Sequence, residues 1–190
     1  MTSRLAIFAS GGGSNARRII EYFKADPHVE ISVLVCNNPQ AGVLKVAMDH
    51  QVPFILINKE SFYKSTQLLE QLQYRQVDWI ILAGFLWLVP VYLLQAYPDH
   101  VVNIHPALLP KYGGKGMYGH HVHEAVKAAG ENESGMTIHL VNEHYDRGRI
   151  LFQGRCDLTP EDTAETIAAK VLQLEHLHYP RVIDSLVNKN

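Results

Sequence analysis

The segment Val102-Asn103-Ile104-His105-Pro106 is the part of the sequence best suited to chemistry. Residues two apart in an extended chain point to the same side, so Asn103 and His105 project together while Ile104 faces the other way. An amide donor beside an imidazole can stabilise an oxyanion and handle its proton. A strand end that carries a structural histidine explains the same pattern, so the residues alone leave both interpretations open.

A glycine-rich loop near the N-terminus is the second candidate site. Gly11-Gly12-Gly13-Ser14-Asn15-Ala16 follows a predicted strand and opens a predicted helix, where free backbone amides attract phosphate. The loop matches the dinucleotide pattern G-x-G-x-x-(G/A), but NAD binding also needs an acid after the second strand, which here ends Cys36-Asn37-Asn38. We expect a monophosphate on the amides of Gly13, Ser14 and Asn15, with a purely structural turn as the alternative.

Short apolar runs alternate with stretches of helical periodicity along the chain, which indicates an α/β fold. Strands are predicted at residues 5–9, 31–35, 54–57, 79–83, 101–104, 136–141 and 150–153, the last at a sheet edge. Helices are predicted around residues 16–23, 44–47 and 62–72 and from residue 159 onward. Ser14 or Asn15 can cap the first helix and Thr159 the last, and Pro180 should kink or break the last one.

This alternation requires right-handed crossovers and a mostly parallel, twisted sheet with helices on both faces. We therefore predict an α/β, Rossmann-like fold with about seven strands, and a single domain over residues 1–190. Ligands of such sheets bind beyond the carboxyl ends of the strands, near the point where the strand order reverses. The loops after strands one, four and five should therefore form the site.

Composition argues against several classes of partner. The chain has 190 residues, of which 47% are hydrophobic and 19% charged, a balance typical of a globular protein with a full core. Its formal net charge of −2 provides no strong field for nucleic acid or an anionic membrane. Cys36 and Cys156 lie in apolar runs without a CxxC neighbour, which is typical of a reducing compartment. We expect a soluble, cytoplasmic protein with small-molecule partners and no membrane span.

Four segments together resemble the folate-dependent formyltransferases. The octapeptide Asn103-Ile104-His105-Pro106-Ala107-Leu108-Leu109-Pro110 is similar to the signature of that family, and Ser10-Gly11-Gly12-Gly13-Ser14-Asn15 precedes it. Leu82-Ala83-Gly84-Phe85 and Asp146-Arg147-Gly148-Arg149-Ile150 also follow the order and spacing of the family. The likeness runs from residue 5 to about residue 180, and it is greatest to members that act on 5-phosphoribosylglycinamide.

The resemblance implies transfer of a formyl group from 10-formyltetrahydrofolate, as cosubstrate, to the amine of 5-phosphoribosylglycinamide in de novo purine biosynthesis. The N-terminal half would then hold the phosphate, and the C-terminal half the folate and the catalytic loops, in a monomer or homodimer. The alternatives are a formyltetrahydrofolate hydrolase, a formyltransferase with another amine acceptor and, less favoured, a non-catalytic nucleotide-binding protein.

The resemblance also implies a catalytic trio of Asn103, His105 and Asp146. A carboxylate beside His105 should raise the pKa of the imidazole, so we expect more imidazolium near neutrality. That imidazolium and the Asn103 amide would polarise the formyl oxygen and stabilise the tetrahedral intermediate. The proton of the attacking amine would pass through a water molecule or His105, and the sequence leaves both routes open.

Binding roles follow from the resemblance in the same way. Glu175 would bind the acceptor substrate, His120 and His139 are secondary candidates, and a glycine-rich segment at residues 111–119 is either a lid or a surface loop. Folate would contact Leu86, Trp87, Leu88, Val89, Asn103 and, in place of an arginine of some relatives, Lys64. No metal is expected, because His120, His121 and His123 do not have the spacing of a metal motif.

Overall fold

The computed structural model describes residues 2–188 and contains one seven-stranded sheet, with strand order β3-β2-β1-β4-β5-β6-β7. The first five strands pair in parallel, and β6 is antiparallel to both of its neighbours. The prediction of a mostly parallel α/β sheet of about seven strands, with an edge strand last, is therefore confirmed. The strands are β1 (Ser3–Ala9), β2 (Val29–Cys36), β3 (Phe54–Leu56), β4 (Trp79–Leu82), β5 (Val101–His105), β6 (Glu133–Leu140) and β7 (Ile150–Asp157).

Helices cover both faces of this sheet, and the sheet separates two apolar layers. One layer contains Ile19 and Val171, and the other contains Phe62 and Leu93. Central strands are buried on both faces, which explains their nearly continuous apolar runs. The helices are α1 (Ser14–Phe23), α2 (Val43–Asp49), α3 (Lys59–Tyr63), α4 (Gln67–Tyr74), α5 (Val91–Ala96), α6 (His120–Ala128) and α7 (Ala164–Val187).

The start of α1 differs from the prediction, because Gly13 and not Ser14 or Asn15 is its N-cap, and no side chain caps it. Gly13 has a φ of 80°, in the left-handed region that favours glycine, and a Cβ there would collide with Val43. The backbone therefore makes the turn, and the side chain of Asn15 remains available for other contacts.

Other helix predictions also need correction. The helix predicted around residues 62–72 is divided into α3 and α4, and the short helices α5 and α6 were not predicted. The last helix begins at Ala164, where Thr163 and Thr166 form a capping box, and not after Thr159. It continues through Pro180 to Val187 without a break, since Pro180 is buried beside Tyr179 in the packed face of the helix.

One buried tyrosine joins this last helix to the sheet. The hydroxyl of Tyr179 lies 2.9 Å from the carbonyl oxygen of Leu82 and 3.2 Å from that of Val102. Leu82 is the last residue of β4, and Val102 lies near the start of β5. The contact fixes α7 against two neighbouring central strands. Within residues 2–188, no helix combines the length and apolarity needed to cross a membrane.

Candidate active site

A cleft of about 770 Å³ lies at the carboxyl ends of the central strands. Gly11 and Asn15 line it from the loop after β1 and the start of α1, Gly84 from the loop after β4, and Pro106 from the loop after β5. The structure therefore confirms the prediction that these three loops surround one cavity. The loop between β6 and β7 and one face of α7 complete the wall, and neither was included in that prediction.

Asn103, His105 and Asp146 meet in this cleft. Asn103 and His105 project from β5, while Asp146 comes from the loop between β6 and β7. His105 Nδ1 lies 3.5 Å from Asp146 Oδ2, and only 5% and 10% of these side chains are exposed. At this separation the carboxylate can stabilise the positive charge of the imidazole when the ring is protonated.

His139 contacts both Asn103 and Asp146. It stands opposite Asn103 in the β5–β6 register, and its Nδ1 lies 2.7 Å from the carbonyl oxygen of Leu140. The proton of the neutral ring therefore sits on Nδ1, and Nε2 accepts a hydrogen bond from Asn103 Nδ2 at 3.1 Å. This bond orients the Asn103 amide, and the same Nε2 lies 3.6 Å from Asp146 Oδ1.

Two close backbone contacts, at Gly148 and at Gly114, position Asp146 beside His105. A Cβ on Gly148 would meet the carbonyl oxygen of Leu140, so only glycine lets the loop pass this close to β6. Asp146 itself has a φ of 55°, and its Oδ2 accepts the backbone N–H of Gly114 at 2.9 Å. The segment after β5 and the loop after β6 therefore both fix the position of the Asp146 carboxylate.

The protonation of His105 differs from the expectation drawn from sequence. Burial lowers the pKa of His105, and the opposing effects of Asp146 and of the Tyr112 carbonyl do not restore it to the ordinary value. The ring is therefore mostly neutral near pH 7, and the expected imidazolium is wrong for the free protein. His105 Nε2 donates to the carbonyl oxygen of Tyr112 at 2.7 Å, which leaves Nδ1 as a free base beside Asp146.

Asp146 remains ionised beside this base. Burial acts to raise the pKa of its carboxyl, but contacts with His139, His105 and the Gly114 N–H outweigh burial and lower the pKa below the ordinary value. A permanent negative charge therefore faces the atom of His105 that can take up a proton.

The end of the cleft formed by α1 and α7 holds a second polar pair. Asn15 Nδ2 donates a hydrogen bond to Glu175 Oε2 at 2.6 Å, which joins α1 to α7. Burial raises the pKa of Glu175, and the bond from Asn15 opposes that rise. Asn15 Oδ1 is buried and has no partner within residues 2–188. This end therefore offers a carboxyl group and an unused amide oxygen to a ligand with hydroxyl or N–H groups.

The apolar wall of the cleft comes from the segment after β4, and it contains all four of the predicted residues Leu86, Trp87, Leu88 and Val89. The backbone N–H of Leu86 donates to Ser10 Oγ at 3.0 Å, and Tyr63 Oη donates to the carbonyl oxygen of Leu88 at 3.1 Å. A flat ring system could lie against this wall.

Not every predicted binding residue lines the cleft. Gly13, Ser14 and Lys64 are absent from its wall, although Gly11 and Asn15 of the same glycine-rich loop are present. His120 lines the cleft but is half-exposed, with Nε2 3.4 Å from a carboxylate oxygen of Glu124.

Comparison with known proteins identifies the family. Residues 3–183 match the sequence model of the family described as "Formyl transferase". The chain belongs to that family. The resemblance found in the sequence is therefore confirmed over nearly the whole chain.

Individual relatives in this family show which of its members the sequence is similar to. The chain is 45% identical over 188 residues to the chloroplastic phosphoribosylglycinamide formyltransferase of Vigna unguiculata, covering 96% of this chain and 60% of that protein. It is 36% identical to the Bacillus subtilis phosphoribosylglycinamide formyltransferase, with 98% and 96% covered. The chain thus spans three fifths of the length of the Vigna relative and 65% of that of a matching Arabidopsis thaliana protein.

Solved structures of the family share the fold. The crystal structure of phosphoribosylglycinamide formyltransferase from Bacillus halodurans superposes with a TM-score of 0.88 at 36% identity, covering 98% of this chain and 96% of that one. Glycinamide ribonucleotide transformylase 1 from Geobacillus kaustophilus gives a TM-score of 0.89 at 35% identity, with 99% and 100% covered.

Sequence reasoning missed several residues of this candidate site. Tyr112 and Gly114 act through the backbone, as acceptor for His105 and donor to Asp146, so their side chains carry no signal of the role. His123 and Tyr145 also line the cleft. Only for His123 was a signal present, since it lies in the histidine-rich segment from which His120 alone was predicted as a secondary site residue.

Proposed function

We propose that this protein transfers the formyl group of 10-formyltetrahydrofolate to the amine of 5-phosphoribosylglycinamide, a one-carbon step of de novo purine biosynthesis. The products are the N-formyl ribonucleotide and tetrahydrofolate. One observation carries the proposal: His105 Nδ1 lies 3.5 Å from Asp146 Oδ2 inside the cleft, with the Asn103 amide on the same strand. The names of relatives such as the Bacillus subtilis protein support the choice of substrates.

The reaction requires a general base, a hydrogen-bond donor to the oxyanion and a proton transfer to the leaving nitrogen. The amine nitrogen bonds to the formyl carbon while an N–H of Asn103 donates to the formyl oxygen, which becomes an oxyanion. His105 Nδ1 takes the proton released by the attacking nitrogen, and Asp146 stabilises the imidazolium. The proton then passes to the folate nitrogen as its bond to carbon breaks, so that charge and protons balance.

The two substrates would occupy opposite ends of the cleft. Folate would lie against Leu86, Trp87, Leu88 and Val89, within reach of the Asn103 amide. The ribose of the acceptor would meet Glu175, and its phosphate would lie on the amides of Gly13, Ser14 and Asn15 at the helix N-terminus. Both ends open onto the catalytic group, so one acceptor and one donor can meet there.

Two further side chains keep secondary roles. Lys64 would reach the folate only from outside the cleft wall, so its replacement by Met should raise the donor KM only a few fold. His120 would border the acceptor, and His139 would act by orienting Asn103. No metal takes part, because the reaction needs no Lewis acid.

We also propose that residues 1–190 act as a single formyltransferase domain, with the phosphate side in the N-terminal half and the folate and catalytic loops in the C-terminal half. The protein would work as a monomer or homodimer in the cytoplasm, on small molecules and without nucleic-acid or membrane partners. Light scattering after size-exclusion chromatography measures the oligomeric state, and a fluorescent fusion in the native cell measures the location.

The decisive experiment is amine-dependent deformylation. The protein is mixed with 10-formyltetrahydrofolate, with and without 5-phosphoribosylglycinamide, and tetrahydrofolate release is followed beside formation of the formylated nucleotide. Release only with the nucleotide, and not in Asp146→Asn, supports the transferase. Release without the nucleotide indicates a hydrolase, and no release in either mixture contradicts the proposal.

A further inference from the structure

Three buried histidines face the cleft, and one of them has no hydrogen-bond partner. His105 and His139 each bond to a backbone carbonyl, but the ring of His123 makes no hydrogen bond within residues 2–188. His123 is 6% exposed, and its Nδ1 is fully shielded from solvent. The other ring nitrogen, Nε2, also lacks a hydrogen-bond partner within residues 2–188 but is not shielded in this way, and His123 lines the cleft. Because buried histidines normally make hydrogen bonds, Nε2 is the atom of this ring available for a contact with a ligand.

The environment of His123 determines which nitrogen can serve a ligand. A proton on the shielded Nδ1 would be a buried donor with no acceptor, so the neutral ring carries its proton on Nε2. Burial lowers the pKa of His123, and the nearby His120 and His105 lower it further. The ring is therefore a neutral hydrogen-bond donor, which suits an uncharged carbonyl oxygen better than a phosphate.

The position of His123 limits the part of a ligand that it can meet. His123 lies on α6, which packs against α7, and α7 carries Glu175 into the same cleft. His105 lines the same cleft. His123 therefore lies on the acceptor side of the cleft, near both the base and the wall formed by α7. In the acceptor substrate, an amide carbonyl joins the reacting amine to the ribose.

We propose that the Nε2–H of His123 donates a hydrogen bond to the amide carbonyl oxygen of the glycinamide acceptor. The inference rests on the function proposed above and adds a residue that recognises the α-amino amide group of the substrate. This contact holds the amine at a fixed distance from His105 Nδ1, and it favours an α-amino amide over a simple amine.

The test is a cycle of two enzymes and two acceptors. The wild type and His123→Phe are each assayed with 5-phosphoribosylglycinamide and with an analogue in which a methylene group replaces the amide carbonyl. The change in amine basicity caused by the methylene group is the same for both enzymes and cancels in the comparison. We expect His123→Phe to lose about 10-fold in kcat/KM with the natural acceptor and almost nothing with the analogue.

Two controls separate this contact from general damage. His123→Gln keeps an N–H donor and should recover part of the loss, and the KM for 10-formyltetrahydrofolate should not change in either variant. Thermal unfolding reports whether the variants fold, and His123→Leu replaces His123→Phe in the cycle if the larger ring does not fit.

The outcomes are distinguishable. An equal loss with both acceptors, or a loss confined to the donor KM, overturns the contact while the proposed function stands. A wild type that forms no formylated nucleotide from the natural acceptor overturns the proposed function and this inference with it. A loss specific to the carbonyl-containing acceptor, with recovery in His123→Gln, supports the contact.

Discussion

Replacing Asp146 by Asn removes one charge from the catalytic group with almost no change in shape. The new amide side chain still has an oxygen that can accept the Gly114 N–H, so we expect the fold to remain. The lost interaction is the one between the carboxylate and the imidazolium that forms when His105 takes up a proton. At the 3.5 Å separation of Nδ1 and Oδ2, and with an effective dielectric constant of about 20, it is about 5 kcal/mol.

This value is a ceiling, because water in the open cleft screens part of it and the amide dipole of the substituted side chain replaces another part. A loss of about 3 to 4 kcal/mol in the transition state corresponds to a fall in kcat of about 100- to 1,000-fold. Glu143→Gln is the matched control, since it removes the same charge from an exposed position on the same loop. We expect its kcat to remain within about threefold of the wild type.

The pH profile tests the reasoning separately from the rate. The charge of Asp146 raises the pKa of His105 against the larger effect of burial, so removing it should lower that pKa further. His105 must be neutral to act as a base, and the acidic limb of kcat should therefore move to lower pH in Asp146→Asn. The rate of formylated nucleotide formation between about pH 5 and pH 9 measures both effects. An unchanged kcat, or an acidic limb that moves to higher pH, would refute the assigned role.

Three further predictions concern stability. Gly148→Ala places a Cβ against the Leu140 carbonyl and should cost about 2 to 3 kcal/mol in urea unfolding, with loss of activity. Tyr179→Phe leaves two strand carbonyls without their donor and should cost about 1 to 3 kcal/mol, which lowers Tm while kcat is nearly unchanged. The pKa values of His105 and His123 are lower in the folded protein than the ordinary 6.5, so the unfolded chain binds protons first as the pH falls. The free energy of unfolding should therefore decrease below about pH 6.5, by up to about 1.4 kcal/mol per pH unit for each histidine, and be constant above it. A stability that rises on acidification contradicts this sign.

Local pattern was sufficient for much of the fold. The strands are short apolar runs bounded by turn residues, and each predicted run overlaps an observed strand. This agreement arises because a strand buried on both faces needs apolar residues at nearly every position. Helix ends were less predictable. Thr159 and Thr163 are both good N-cap residues, and it is Thr163, in a capping box with Thr166, that caps the helix. Pro180 was expected to break this helix, but the packed face that it shares with Tyr179 is buried and continues through it.

The candidate catalytic residues were predicted partly from strand geometry and partly from family resemblance. Asn103 and His105 lie two apart on one strand, so local geometry predicts that they share a face. Asp146 is distant in sequence, and only family resemblance pointed to it. Lys64 shows the limit of that method, because a position transferred from relatives is absent from the wall of the cleft here.

The protonation of His105 depends on a balance that no local pattern contains. A neighbouring carboxylate raises an imidazole pKa, and from the pair alone the imidazolium was the reasonable expectation. The opposing effect of burial is set by the whole environment of the ring, including the Tyr112 segment, whose carbonyl oxygen accepts a hydrogen bond from the Nε2–H of His105. A neutral base that becomes charged only during the reaction gains from Asp146 at that moment, whereas an imidazolium present before the reaction would use the same interaction in the ground state. In the mechanism proposed above, burial of His105 would therefore favour catalysis, because the carboxylate of Asp146 would act on the imidazolium only in the transition state.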